Sequence, residues 1–503
     1  MNKINSDVLI IGSGFGAAAP ALRLSQAGLG VTVIEKGPNL RVADFKQTQD
    51  PQYLLKYLKG LSGDNINFTY AEALGGGSGF YEMVSLRAPT LAFEQTEASG
   101  QPIWPNGVDR ATLDPHYDLA EKMLHVSQID REKVPKTGLV FSLMMKNLGY
   151  SCERCRYAVV GCLGSGFCVT GCIYNKKQTL IINYLPQAVE AGAKILTDIE
   201  AQVVRPVGDP SSAPQGSSLP GIPYRYQVTC RRADGSSVLC KARLLILAAG
   251  TVGTAELLLR SRRHLPALSD QVGRNIAFNG SVKVVGMLSD DLPEGDMFSG
   301  TTHPGMISYE FLRSHGVTVA AVKAMPLMAV AAARLRLEGD GRNPSYWGAA
   351  NVELMKNFRR RGIALLALGL ATHTAELELH NGKVRPRLEL TDEVRAYYKR
   401  TKKLLDSILT DNGCRLIEAE FIDGKGAPRE DLFFSTAHHV GSCRMADSPE
   451  LGVVNSDGQV FGYPGLYVSD GAAVCGALAV NTSLTILANA ERIAAGLVAR
   501  YQA

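Results

Sequence analysis

The sequence lacks a long hydrophobic run, a signal peptide and a strong excess of charge, and each absence excludes a class of protein. The nearest candidate for a membrane span, residues 317–333, is interrupted by Lys323 and Pro326 and is shorter than the roughly 18–20 apolar residues required. We therefore expect no transmembrane segment. The N-terminal residues enter a folded pattern directly, without the charged and apolar regions of a signal peptide. A formal net charge of +5 over 503 residues is too weak to indicate nucleic-acid binding.

Internal repeats and low-complexity tracts are also missing, and hydrophobic residues make up 46% of the chain against 20% charged residues. This composition excludes disordered and fibrous proteins. At about 100–200 residues per domain, the length predicts two to four structural units. Ten cysteines without an export signal predict reduced thiols and a cytoplasmic location.

Residues 7–37 have the pattern of a strand, a glycine-rich turn, a helix and a second strand. Two short apolar runs have the length of buried strands, and Gly12, Gly14 and Gly16 lie in the turn between them. Such a turn lets the backbone approach a pyrophosphate, and the helix directs unpaired N–H groups towards it. Glu35 ends the second strand, where an acid accepts the hydroxyls of a ribose. The pattern predicts dinucleotide binding, either NAD or FAD, and Glu35 disfavours a 2′-phosphate by charge repulsion.

Four further segments match the same protein family as this N-terminal motif. They are 74–78, which is followed by 84–89, then 249–258, and finally 438–496. In this order, and over nearly the whole chain, they resemble the glucose–methanol–choline (GMC) flavin oxidoreductases. The middle of the chain, above all residues 173–193, resembles bacterial cholesterol oxidase and related enzymes that act on bulky alcohols.

The resemblance implies FAD and an α/β fold in which two domains are interwoven along the chain. We expect a Rossmann-like FAD-binding domain and a substrate-binding domain built on a mostly antiparallel sheet with helices. The FAD-binding domain is expected to contain residues 5–88, 173–285 and 435–503, and the substrate-binding domain residues 89–172 and 286–434.

The resemblance also implies which residues bind FAD. They are Gly12, Gly14, Phe15, Gly16, Glu35, Gly76, Gly77, Ser78, Tyr81, Ala201, Ala249, Gly250, Asp470, Gly471, Asn481 and Thr482. Phe80 occupies the position at which some relatives attach FAD covalently through a histidine, so we expect noncovalent FAD. Thr482 stands where proline usually follows the family's asparagine.

Two residues near the C-terminus match the family's catalytic positions, His438 and Asn481. A neutral imidazole can accept the hydroxyl proton while hydride passes from carbon to flavin N5, whereas an amide can only orient and stabilise the oxygen. His439 is the alternative base, but successive side chains on an extended segment point to opposite faces. The apolar spacing from Leu484 onwards predicts a helix that begins beside Asn481.

Together these features predict FAD-dependent oxidation of a hydrophobic alcohol to a carbonyl compound, with dioxygen or another acceptor taking the electrons. The expected hydrophobicity depends on the apolar residues 317–333 and 362–371, which could instead be core strands that face away from the substrate. One alternative is a lyase of the same fold that keeps the flavin as a structural group, as hydroxynitrile lyases do. A non-enzymatic flavoprotein is the other.

Five clustered cysteines leave a further choice open. With this spacing the thiolates could ligate zinc or an iron–sulfur cluster. The cysteines are Cys152, Cys155, Cys162, Cys168 and Cys172. However, a pair of cysteines separated by two other residues occurs only once in the cluster and does not recur. We therefore expect no metal, and reduced or occasionally disulfide-linked thiols.

Overall fold

The computed structural model describes residues 2–207, 219–297, 300–302, 304–323, 333–337, 349–421 and 431–501. Within these ranges the strands are β1 (Asn2–Ile11), β2 (Val31–Ile34), β3 (Leu58–Ser62), β4 (Ile66–Ala71), β5 (Val126–Gln128), β6 (Glu153–Arg154), β7 (Arg156–Ala158), β8 (Lys194–Leu196), β9 (Ile199–Pro206), β10 (Tyr226–Arg232), β11 (Ser237–Leu247), β12 (Val282–Met287), β13 (Met306–Ser308), β14 (Val317–Val322), β15 (Ala333–Leu337), β16 (Gly362–Gly369), β17 (Glu376–His380), β18 (Lys383–Arg387), β19 (Arg415–Phe421), β20 (Phe434–Thr436) and β21 (Leu466–Val468). The helices are α1 (Phe15–Gln26), α2 (Pro51–Tyr57), α3 (Arg110–Met123), α4 (Lys136–Asn147), α5 (Tyr184–Glu190), α6 (Gly250–Ser261), α7 (Leu312–His315), α8 (Ala349–Arg361), α9 (Asp392–Thr410) and α10 (Ser483–Tyr501).

The first sheet is parallel at its centre and has the strand order β8-β2-β1-β11-β10-β9, with β21 also paired to β11. Strands β8, β2, β1, β11 and β21 run parallel, whereas β10 and β9 are antiparallel to their neighbours. Because the carboxyl ends of parallel strands meet at one edge, this sheet brings together the turns that follow β1, β2, β11 and β21. The predicted N-terminal strand–helix–strand unit is confirmed.

The second sheet is antiparallel throughout, in the order β15-β19-β12-β16-β14-β13-β6. This is the antiparallel sheet that the sequence predicts beside the Rossmann-like sheet. Strand β12 crosses the predicted domain boundary between residues 285 and 286, and it belongs to the second sheet over its whole length. The exact division of the chain into two domains stays a prediction.

A buried ion pair fastens the C-terminal helix to the first sheet's helical layer. Glu491 of α10 is 2% exposed, and its carboxylate accepts hydrogen bonds from Arg23 of α1 and from the hydroxyl of Tyr184, the latter at 2.7 Å. The Arg23 Nη2 and Glu491 Oε1 atoms are 2.9 Å apart. Removing Arg23 would leave the buried Glu491 carboxylate without its counter-charge, so the contact fixes α1, α5 and α10 relative to one another.

Two sequence predictions fall partly on residues outside the described ranges. Residues 205–223 are rich in Pro, Gly and Ser, a composition typical of a surface loop between strands. This segment connects β9 to β10, but residues 208–218 are outside the described ranges. The apolar stretch 317–333 has a pattern that favours a buried strand followed by a helix over a membrane-contacting surface. It begins as strand β14, and residues 324–332, where the helix is expected, are outside the described ranges. Of the helices that the structure describes, none is both long enough and apolar enough to cross a membrane.

Candidate active site

A cavity of about 990 Å³ lies between the carboxyl edge of the first sheet and one face of the second. It extends from the glycine-rich turn after β1 to the two predicted catalytic residues, His438 and Asn481. All of the residues predicted to bind FAD line this cavity except Ser78. The fold therefore gathers one site from segments that are far apart in the sequence.

The structure gives a different reason for glycine at each of the three positions after β1. Gly12 has a φ of +96°, and a Cβ atom there would lie 2.3 Å from the Ala248 carbonyl oxygen. At Gly16 a Cβ atom would lie 2.4 Å from the Cα atom of Asp470. At Gly14 it would meet only the Cα atom of Gly76, at 3.9 Å. Protein packing thus requires glycine at two positions, whereas Gly14 leaves space for a ligand in the cavity.

Glu35 lies at the end of β2 and is 7% exposed. Its carboxylate accepts one hydrogen bond from the Ser13 hydroxyl and one from the Gly37 N–H, both at 2.7 Å. Burial raises the pKa of Glu35, and these two hydrogen bonds oppose that rise. Ser13 also accepts a hydrogen bond from the Gly75 N–H at 2.9 Å, so it joins the two glycine-rich turns. Sequence reasoning missed Ser13, although it lies between two predicted FAD-binding glycines.

Asp470 follows β21, and its carboxylate is hydrogen-bonded to protein groups. Its carboxylate accepts hydrogen bonds from the N–H groups of Gly250 and Ala472 and from the Thr254 hydroxyl, at 2.6–2.8 Å. Burial raises its pKa to about 6. These bonds connect the end of β21 to the start of α6, and Gly471 and Thr482 line the cavity beside them.

Ser78 is the one predicted FAD-binding residue that does not line the cavity. Its side chain is fully buried, and its hydroxyl donates to the Gly75 carbonyl at 2.7 Å and accepts from the Leu180 N–H at 3.2 Å. With both hydrogen bonds made inside the protein, Ser78 shapes the loop instead of facing the cavity. Tyr81 does face it, packed edge-on against Phe15 with ring centroids 5.5 Å apart.

The predicted catalytic residues meet across the cavity. The Asn481 side-chain nitrogen lies 3.1 Å from Nε2 of His438. Burial and, secondarily, the positive charge of Lys283 lower the pKa of His438 to about 4. Its imidazole is therefore neutral at pH 7, and with Nε2 unprotonated its single lone pair accepts the amide hydrogen bond here and can accept a proton in its place.

His439 has a different environment. Its ring stacks on Phe68 with centroids 4.8 Å apart and planes inclined by 23°. It is 8% exposed, and burial lowers its pKa to about 4 as well. The backbone alternation expected for this segment explains why only His438 contacts Asn481. The geometry favours His438 over His439 as the proton acceptor.

Alternate residues of the second sheet form an apolar wall of the cavity. From β14 these are Thr318, Ala320 and Val322, and from β16 they are Ala364, Leu366 and Leu368. The opposite face packs against α9: a Cβ atom at Gly286 would lie 3.1 Å from a methyl carbon of Leu409. The described residues 317–322 and 362–369 of the two apolar stretches therefore form both pocket wall and core. Lys283 of β12 also lines the cavity, and sequence reasoning missed it although the surrounding Val-Lys-Val-Val pattern alternates.

The cysteines are all free thiols in the structure. Among the residues described, no group of three or more His, Cys, Asp or Glu side chains is placed to hold a metal ion. Burial raises the pKa of Cys152 and of Cys168 to about 12, so these thiols stay protonated at neutral pH. The expectation that the cluster binds no metal stays a prediction.

The cavity fits a dinucleotide by its shape and its polar groups. Open space faces Gly14 and Gly77, where added Cβ atoms would meet almost nothing. The N-terminus of α1 lies at the same turn, and the Glu35 carboxylate lies at the end of the neighbouring strand. A pyrophosphate at the helix N-terminus and a ribose at the acid are the arrangement that such turns bind.

Comparison with known proteins agrees with this arrangement. The GMC oxidoreductase N-terminal family model matches residues 6–278, and the C-terminal model matches residues 383–490. A cholesterol oxidase of Mycobacterium tuberculosis is 28% identical, with 98% of this chain and 91% of that protein covered. A cholesterol oxidase of Acinetobacter baumannii is 26% identical, with 100% and 96% covered. A long-chain-alcohol oxidase of Arabidopsis thaliana is 25% identical, with 99% and 68% covered.

Two solved structures share the fold over the whole chain. Pyridoxine 4-oxidase from Mesorbium loti has a TM-score of 0.66 at 16% identity, with 98% of this chain and 99% of that chain covered. A formate oxidase from Aspergillus oryzae has a TM-score of 0.67 at 13% identity, with 99% of both chains covered. At these identities the likeness concerns the fold.

Proposed function

The chain belongs to the GMC oxidoreductase family, and from this premise we propose that it oxidises the CH–OH group of a hydrophobic alcohol to a carbonyl group. It is an FAD-dependent oxidoreductase. The observation that carries the proposal is the contact between His438 and Asn481 at the end of an apolar cavity.

The two residues divide the work on the hydroxyl group. Nε2 of His438 accepts the hydroxyl proton, since a low pKa keeps the imidazole neutral and ready. The Asn481 amide donates a hydrogen bond to the same oxygen and stabilises the charge that develops there. Bound FAD supplies the acceptor for the hydride that leaves the carbinol carbon.

The residues that would hold FAD are the glycines after β1, Glu35, the turn at 76–77 and the start of α10. We infer that the attachment is noncovalent. Phe80 is 4% exposed, and its ring stacks on Tyr57 with centroids 5.5 Å apart. A phenyl group also has no nucleophilic atom that could form a bond to the flavin.

The apolar wall and the named relatives favour a bulky or long-chain alcohol over a sugar. A sugar would need a polar partner for each buried hydroxyl, and an unpaired polar group costs about 1–3 kcal/mol on burial. The wall formed by β14 and β16 contributes one hydroxyl, from Thr318, and that hydroxyl already donates to the Ala479 carbonyl at 2.6 Å. Since these relatives are oxidases, dioxygen is the proposed electron acceptor.

Anaerobic reduction of the bound flavin tests the proposal. Wild-type protein is mixed without oxygen with a long-chain alcohol, a sterol and glucose, and the absorbance of the oxidised flavin is followed. We expect the apolar alcohols to bleach the flavin and glucose to leave it oxidised. A lyase or a non-enzymatic flavoprotein would show no bleaching with any alcohol. Admission of air should then restore the oxidised spectrum and release hydrogen peroxide.

A further inference from the structure

Lys283 places a positive charge in the apolar wall of the cavity. Within strands β12, β14 and β16 it is the only charged side chain that lines the cavity. Its strand register puts it opposite Leu366, which in turn pairs with Ala320. The ammonium group therefore projects from a row of aliphatic residues towards the open space of the cavity.

No counter-charge for Lys283 comes from the described part of the chain. None of the described acids that line the cavity forms an ion pair with Lys283: Asp406, for example, pairs with Lys402, and Asp470 accepts its three hydrogen bonds. Burial alone lowers the pKa of Lys283, with no carboxylate opposing the shift. Lys283 is exposed to the cavity, and once a substrate displaces the water there its ammonium group costs free energy unless an anion or several acceptors compensate it.

Lys283 also lies near the reacting groups. Its positive charge contributes to the lowered pKa of His438, so the two side chains share one region of the cavity. A substrate whose hydroxyl group contacts His438 and Asn481 would extend along the apolar wall, where a carboxylate further along its chain comes within the reach of the flexible lysine stem.

We propose that Lys283 binds a carboxylate on the substrate itself, so that the preferred substrate is an amphiphilic hydroxy acid with an apolar skeleton. This inference rests on the proposed alcohol oxidation and narrows its substrate class. The carboxylate compensates the ammonium charge, and the aliphatic residues around Lys283 contact the skeleton. A neutral alcohol of the same length leaves the ammonium unpaired and binds less tightly.

Matched pairs of substrates test the inference. The probes are ω-hydroxyhexanoate, ω-hydroxyoctanoate and ω-hydroxydodecanoate, each against its methyl ester, with wild-type holoenzyme and the variants Lys283→Met and Lys283→Arg. At the best chain length we expect the wild type to prefer the acid in kcat/KM by about 10- to 100-fold, the range for a charge-assisted hydrogen bond. Lys283→Met should remove the preference, mainly through KM, and Lys283→Arg should keep part of it. Lys403→Met, an exposed lysine of α9 outside the cavity, is the matched control and should keep the full preference.

A binding measurement gives a readout that is independent of turnover. Octanoate and dodecanoate, which carry no hydroxyl group, should perturb the flavin absorbance of the wild type and bind about tenfold or more weakly to Lys283→Met. Equal kcat/KM for acid and ester in the wild type would overturn the inference. A loss of FAD from Lys283→Met, together with an equal fall in kcat/KM for acid and ester, would also overturn the inference, because the ammonium group would then bind the cofactor. If no substrate of either kind bleaches the flavin, the proposed alcohol oxidation itself fails.

Discussion

Replacing His438 by alanine is the sharpest test of the site, because the structure defines both its protonation state and its partner. Because burial lowers the pKa of His438 to about 4, its imidazole is unprotonated in nearly all molecules at pH 7. Removing a general base costs about 10²–10⁴-fold in rate. We expect a loss of this size in the rate of flavin reduction, with FAD content unchanged.

The contact between His438 and Asn481 makes a second, quantitative expectation possible. Asn481→Ala alone should slow flavin reduction by about 10²–10³-fold, as for other lost charge-stabilising hydrogen bonds. Because the two side chains are 3.1 Å apart and act on one oxygen, their losses should not multiply. The double variant should therefore lie within about tenfold of His438→Ala.

Anaerobic stopped-flow reduction is the appropriate assay, since it separates the chemical step from reoxidation. His380→Ala, which changes an exposed histidine outside the cavity, is the matched control and should react as the wild type does. A loss of only severalfold in His438→Ala protein that carries full FAD would refute the assignment of the base. Fully multiplicative losses in the double variant would refute the shared contact.

The pH dependence follows from the same pKa. The base must be unprotonated, so kcat/KM should be retained at pH 5–6 and fall as the pH drops through about 4. An acid limb near the ordinary histidine value of about 6.5 would contradict the buried environment of His438. Measuring the profile with a neutral alcohol avoids titration of the substrate.

Three further predictions concern the cofactor. Glu35→Ala should weaken FAD binding by about 1.5–3 kcal/mol with little effect on turnover at saturating FAD, and a titration of apoprotein with an unchanged Kd would contradict it. Gly14→Val should fold, because the protein leaves space for its Cβ, but should carry no FAD, because the side chain would occupy the space left for the cofactor; normal FAD content would show that the cofactor is misplaced. Gly16→Val should lower the Tm of the apoprotein, because its Cβ would lie 2.4 Å from the Cα of Asp470. Thermal melts and flavin absorbance distinguish the two variants. Heat or acid should release FAD into the supernatant because Phe80 cannot form a covalent link, and yellow colour left in the precipitate would disprove noncovalent binding.

Local patterns were enough to predict the parts of the fold that depend on neighbours in sequence. The buried strands before Gly12 and Glu35, the helix between them and the helix that begins near Asn481 all follow from apolar periodicity and glycine positions. The exact element ends did not follow: β1 begins at Asn2, because its first residues pair with β11, a strand more than 200 residues away.

The sequence by itself determined the family, the cofactor class and the pair of residues, His438 and Asn481, that meet in the cavity, since these depend on residue types at fixed positions in recognisable segments. Only the tertiary structure decided which groups are left free to act. Ser78 matches the family's pattern, yet its hydroxyl makes its hydrogen bonds to the backbone of Gly75 and Leu180. Lys283 matches no motif, yet the register of the antiparallel sheet turns it into the cavity near His438. Whether a polar side chain meets a ligand or the protein depends on contacts between distant segments, and no local pattern encodes them.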